Sequence, residues 1–291
     1  MSPHGSMWTR QQGRSPSLRV RYNLDTVGVT GSNPVSRTIV FAVTRRDWVC
    51  RSMIMTRTII ITDLTRFAEG KPIVCTAGID PENGECIRPL PYLPFSEFTR
   101  LGMFPGGILK GDFSPQADRE RPHVEDCTYE KLQFSGPCSS ARFMAVLEED
   151  SSPSLEEGFG VALGDGAKVI PVTTPPARSI ITLQVEPQSL EVVEDGYKPG
   201  KLRLHFVDGA DRSYRYFSVA DLGFHDYARR HRESGALDDL NAAISEQSKV
   251  YLRIGLGRVY TSQGKEGYWL QANGIYTFPD KLSYIRSYPT D

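Results

Sequence analysis

Between Leu252 and Tyr260 the chain reads LRIGLGRVY, two glycines one residue apart with an arginine on either side. Glycines so spaced cradle phosphate when they break away from a strand and open a helix. Here Gly257 is followed by arginine, valine and tyrosine, and no Gly-Lys-Ser/Thr triplet appears. Val250, Leu252, Ile254 and Leu256 instead alternate with Tyr251, Arg253, Gly255 and Gly257, the period of a half-buried strand. With the apolar set turned inward, the glycines leave a low-relief outer face that carries Arg253. The following segment, YWLQANGIYTFPD, completes a hairpin and brings Tyr268, Trp269, Gln271 and Asn273 beside Arg258 and Tyr260. Rings interleaved with arginines hold single-stranded nucleic acid without sequence preference, each stacked base contributing about 1–3 kcal/mol while the cations follow phosphates. Gln271 and Asn273 add groups for base edges. With Arg88, from ECIRPLP, these residues form the candidate nucleic-acid-binding set.

Other chemistries find less support. Asp63, Glu125 and Asp126 are the carboxylates available for metal or acid–base work, but Glu-Asp beside His123 fits a turn or strand-end cap better. His225 and His231 lie six apart on one predicted helix, too far round to share a metal. The five cysteines include no CxxC pair, and Cys75 and Cys86, which flank the first predicted hairpin, suit buried reduced thiols. No catalytic residue, metal ligand or cofactor is assigned, and the pattern favours a binding module over an enzyme.

The elements that must position these residues are mostly strands. The β-branched run TIIIT opens the body, and Asn83-Gly84 separates two apolar runs as a hairpin turn does. FPGGILKGDF reads as a further strand, and SSARFMAVLEED as a helix. SIITLQVEP begins a second β segment, followed by a hairpin turning at Asp208-Gly209, in which Leu202, Leu204 and Phe206 supply one apolar face. Two helices follow within 221–247, then the glycine-bearing hairpin. The expected division is a first unit at 56–147, a connector at 148–178, and a second unit at 179–291.

Residues 1–55 differ from this body. They hold eight arginines and two acids, leaving 26 basic and 33 acidic groups in the rest, so any nucleic-acid surface on the body must be a local patch. Gly31-Ser32-Asn33-Pro34 is what a GGT-TCG-AAT-CC string encodes, and that string resembles the T-arm of a bacterial tRNA gene. The segment is expected to be disordered or an upstream extension of the reading frame, with Met53 or Met55 as the natural start. A tRNA-adjacent gene also hints at a mobile or defence-associated locus. No apolar run reaches about 18 residues, so no membrane span is expected, and the location is read as cytoplasmic.

The stretches ITDLTRFAEGKPIVCTAGID, GECIRPLP, PHVEDC, LRIGLGRVY and YWLQANGIYTFPD together resemble the bacterial dual OB domain-containing proteins, over about Thr56 to Tyr288. The resemblance implies a mainly β chain with a few helices, folded as two tandem OB-like small β-barrels, a fold that commonly binds single-stranded oligonucleotides. It brings no catalytic residues. The partner so expected is single-stranded DNA or RNA. The alternatives are a protein-interaction or scaffold subunit of an operon-encoded complex, or a sensor of a nucleotide or modified base in which Arg88 and Arg258 hold phosphate.

Overall fold

A computed structural model of the chain describes residues 55–67, 71–262 and 264–279. The expectations for residues 1–54 therefore lie outside the described residues. Everything described belongs to one contact unit, Cys50–Asp291.

The first barrel begins with β1 (Met55–Arg66), whose central Ile59, Ile60 and Ile61 are all buried. β2 (Ile73–Ile79) and β3 (Cys86–Leu90) form the expected hairpin, in which Asn83 accepts from the Glu85 amide and Gly84 takes a φ of 72°. A two-residue β4 (Leu93–Pro94) leads into α1 (Phe95–Leu101), and β5 (Gly107–Pro115) and β6 (Asp126–Pro137) complete the set. β1 pairs with β2 through its second half and with β5 through its first, with a bulge between Ile61 and Asp63. β6 closes the ring, antiparallel to β5 and parallel to β3.

The second barrel repeats this order. A connector of α2 (Ser140–Glu149), β7 (Ser151–Ser152), α3 (Leu155–Phe159) and β8 (Val169–Pro171) leads to β9 (Ile180–Val185) and β10 (Glu191–Glu194). A 3-10 turn at Pro187–Ser189 separates β9 from β10, and the two serve as one interrupted first strand. β9 pairs with β13 (Lys249–Ser262), and β10 with β11 (Leu202–Val207). β11 pairs with β12 (Ser213–Val219), which runs parallel to β14 (Lys265–Phe278), the partner of β13. The helices α4 (Leu222–Glu233) and α5 (Leu237–Ser245) stand between third and fourth strands, where α1 stands in the first barrel. The chain is mainly β with a few helices, and its strands form two tandem OB-like small barrels.

Each barrel has its own apolar core, around Ile59, Leu109 and Phe113 in the first and around Leu183, Phe206 and Leu252 in the second. A third cluster lies between them. Phe143, Val146 and Leu147 of α2 pack with Ile60 and Ile79 of the first barrel and with Tyr251, Tyr276 and Phe278 of the second. Tyr276 reaches across to donate to the Thr62 carbonyl at 2.6 Å. Glu125 accepts from the amides of Ser179 and Ile180 at the start of β9. β13 and β14 thus turn one face into their own barrel and much of the other against the first barrel.

Candidate nucleic-acid interface

That back-to-back packing decides where the predicted binding residues go. Arg253 was expected on an outer face and is instead 0% exposed. Its guanidinium donates to Asp63 at 2.9 Å, Asp150 at 2.6 Å and Thr182 at 2.6 Å. Burial opposes its charge, but Asp63 and Asp150 more than offset this and hold it protonated. The polar side of β13 faces the other barrel, so its alternate residues are interior. Gly255 is not a bare platform either, since a Cβ there would fall on the Asn273 side-chain amide. Asn273 is buried and accepts from Gln271 at 3.0 Å.

Arg88 is also buried, donating to Asp126 at 2.6 Å and to His123 Nδ1 at 3.0 Å. Burial, with Arg88 and Arg258 beside it, lowers the His123 pKa to about 3, so the ring is neutral. The other Asp126 oxygen accepts from Arg258 at 2.8 Å, and the Arg258 side chain remains 45% exposed. Tyr268 is buried, its ring edge-on to His123. Arg258 and Tyr268 border a recess of about 540 Å³, where Asp118, Glu120 and Asp126 balance Arg119, Arg121 and Arg258. At the hairpin tip Tyr260 is 65% exposed, and Trp269 donates its indole N–H to the Tyr260 carbonyl at 2.8 Å. The eight residues do not form one outward trough.

The expectations for the other candidates are resolved by their partners. Asp63 and Asp126 are held in ion pairs, and Glu125 caps β9. Among the described residues no cluster of three His, Cys, Asp or Glu is placed to hold a metal. Cys86 stands opposite Ile79 on the β2–β3 ladder, so Cys75 and Cys86 are not cross-strand partners. Burial pushes the Cys75 thiol up to about 11.

The cations collect elsewhere. A cleft of about 860 Å³ runs where the two barrels meet, bordered by Arg66, Lys71, Lys198, Lys201, Arg203 and Arg229. Asp226 is the one carboxylate lining it among the described residues. Arg203 is held by Asp195 at 2.9 Å and Ser218 at 2.6 Å, and Arg229 pairs with Glu233. Arg66, Lys71, Lys198 and Lys201 make no ion pair with a carboxylate among the described residues. Burial lowers the Lys201 pKa, and Arg203 and Lys198 lower it further. Like charges so crowded favour an anionic ligand.

The loop between β10 and β11 supplies much of this wall. Its Tyr197 is 92% exposed, beside Lys198. Gln271 borders the cleft, and is the one member of the predicted set that does so. It gets there because β14 runs beside β12, with Gln271 opposite Ser218. The spacing of Tyr197, Lys198 and Lys201 carried a usable signal, an aromatic and two lysines in a short turn, though two acids just before it mask the local charge.

No family model matches the sequence, and no curated protein matches it. Among solved structures, one similar chain comes from a structure described as a replication protein A heterotrimer bound to ssDNA. It is 9% identical, with a TM-score of 0.30, and the match covers 79% of this chain and 50% of that one. The fold assignment rests on the strand order, not on that likeness.

Proposed function

We propose that the protein is a non-enzymatic binding module for single-stranded nucleic acid and that the inter-barrel cleft is its binding site. The observation that carries this reading is a cleft lined by six cations, four of them without an ion pair among the described residues, in a body whose overall charge is acidic. Phosphate neutralisation by Lys and Arg supplies most of the affinity in non-specific nucleic-acid binding. OB barrels take oligonucleotides on the face of their second and third strands and the loop joining the first two. In the second barrel the corresponding segments supply Lys198, Lys201, Arg203 and Ser218 to the cleft, and the first barrel supplies Arg66 and Lys71. Membership of the bacterial dual OB domain-containing proteins, as the sequence resemblance implies, agrees with this proposal.

The test separates the cleft from the hairpin first suggested by the sequence. Fluorescence anisotropy with a labelled single-stranded oligonucleotide is measured for Lys198→Ala/Lys201→Ala and for Tyr260→Ala/Trp269→Ala. Weaker binding in the lysine variant alone supports the cleft. Weaker binding in the aromatic variant alone moves the site to the hairpin tip.

A further inference from the structure

The inter-barrel cleft has the volume of a small-molecule site. Small-molecule sites typically enclose about 300–1,000 Å³, and this cleft, at about 860 Å³, falls inside that range. Four of its six cations have no carboxylate partner among the described residues. The cations come from both barrels, beside an apolar patch. The loop before β11 and the start of that strand contribute Lys198, Lys201 and Arg203 to one wall. The first barrel contributes Arg66 and Lys71, and α4 contributes Arg229, together with an apolar patch of half-buried Phe67, Phe95, Ile73 and Leu222. A ligand matching cations and patch alike has a flat apolar end and a dense cluster of negative charge.

We propose that the cleft recognises a nucleotide carrying an oligophosphate, with the base toward the Phe67–Phe95 side and the phosphates among Lys198, Lys201, Arg203 and Arg66. This rests on the cleft being the nucleic-acid site, and names the part of the ligand that the cleft selects. The oligophosphate has two sources, the 5′ end of a strand or a free nucleoside triphosphate. Internal phosphodiesters, at one charge per nucleotide, use four cations gathered without ion pairs poorly. A terminal triphosphate concentrates its charge within the span of the lysine wall.

The experiment compares one single-stranded 10-mer, as RNA and as DNA, bearing a 5′-triphosphate, a 5′-monophosphate or a 5′-hydroxyl. Binding is measured with and without an excess of mixed nucleoside triphosphates. The expected result is at least tenfold tighter binding of the triphosphate end than the hydroxyl end, with that ratio collapsing in Lys198→Ala/Lys201→Ala. Competition by free triphosphates identifies the nucleotide as sufficient, and tight end-binding without competition identifies the strand end. Equal affinity for all three ends overturns the inference while leaving strand binding intact. No binding of any 10-mer or of free triphosphates overturns both.

Discussion

Arg253 and Lys198 carry the same charge and do opposite work. Arg253 is sealed between Asp63 and Asp150, so removing it leaves two carboxylates buried beside an empty site. Arg253→Met is expected to cost about 3–5 kcal/mol, the usual penalty for breaking a buried ion pair from one side. Urea unfolding measures it, and a loss within 1 kcal/mol would argue that the seam is hydrated. Lys198 lies exposed on a loop, so Lys198→Ala is expected to change stability by no more than about 0.5 kcal/mol. Its effect belongs to ligand binding. Asp221 is a third kind of residue. It is buried, accepts from the amides of Phe224 and Ile275, and burial raises its pKa to about 7, against the ordinary 3.8. A carboxyl whose folded pKa is raised contributes stability fully below the unfolded value and loses it as pH rises through the folded one. Stability relative to Asp221→Asn is therefore expected to fall between about pH 4 and pH 7. Parallel profiles for the two proteins would contradict the buried-carboxyl account.

At the scale of elements, most of the longer strands and the α2, α4 and α5 helices were legible because local pattern determines them, whereas β6, which closes the first barrel, and the short β4, β7, β8 and β10 were not read from the sequence. Alternation marked β11 and β13, β-branched residues marked β1 and β9, and Asn83-Gly84 marked the first hairpin. The packing partner of each face was not legible. Alternation in β13 correctly separated Leu252 and Ile254 from Tyr251 and Arg253, but a polar face reads the same whether water or a second barrel covers it. Arg253 was misplaced for that reason alone. The cleft escaped notice because its residues come from Arg66, from a loop near 198–201 and from α4, which only the tertiary arrangement unites. The Tyr216 backbone, with a φ of 53° beside a bulge in the β11–β12 ladder, has no counterpart in any residue pattern. α2 matters more than its length suggests, because its apolar face joins the barrels. Phe143 is fully buried between them, and Phe143→Ala is expected to cost about 3–5 kcal/mol. A cooperative transition at lower urea checks this, whereas an unchanged midpoint would mean the barrels hold together without the wedge.

For the molecule as a whole, the question is how an acidic body attracts a polyanion. Residues beyond 55 carry 33 acids against 26 basic groups, so long-range attraction is weak and affinity has to come from short-range neutralisation in one place. At physiological salt the screening length is about 8 Å, comparable to the cleft, so the four cations without an ion pair among the described residues act on a bound phosphate largely independently of distant acids. The two barrels share one apolar seam and several buried polar ties, and the cleft along their junction is therefore present before ligand arrives. The measurement that bears most directly on this account is the salt dependence of single-strand binding. The logarithm of affinity is expected to fall linearly with the logarithm of salt concentration, and Lys198→Ala/Lys201→Ala to reduce that slope by about 1.4, roughly 0.7 for each phosphate contact removed. Binding that ignores salt, or a slope the double variant leaves untouched, would contradict the claim that the cleft between the barrels holds the phosphates.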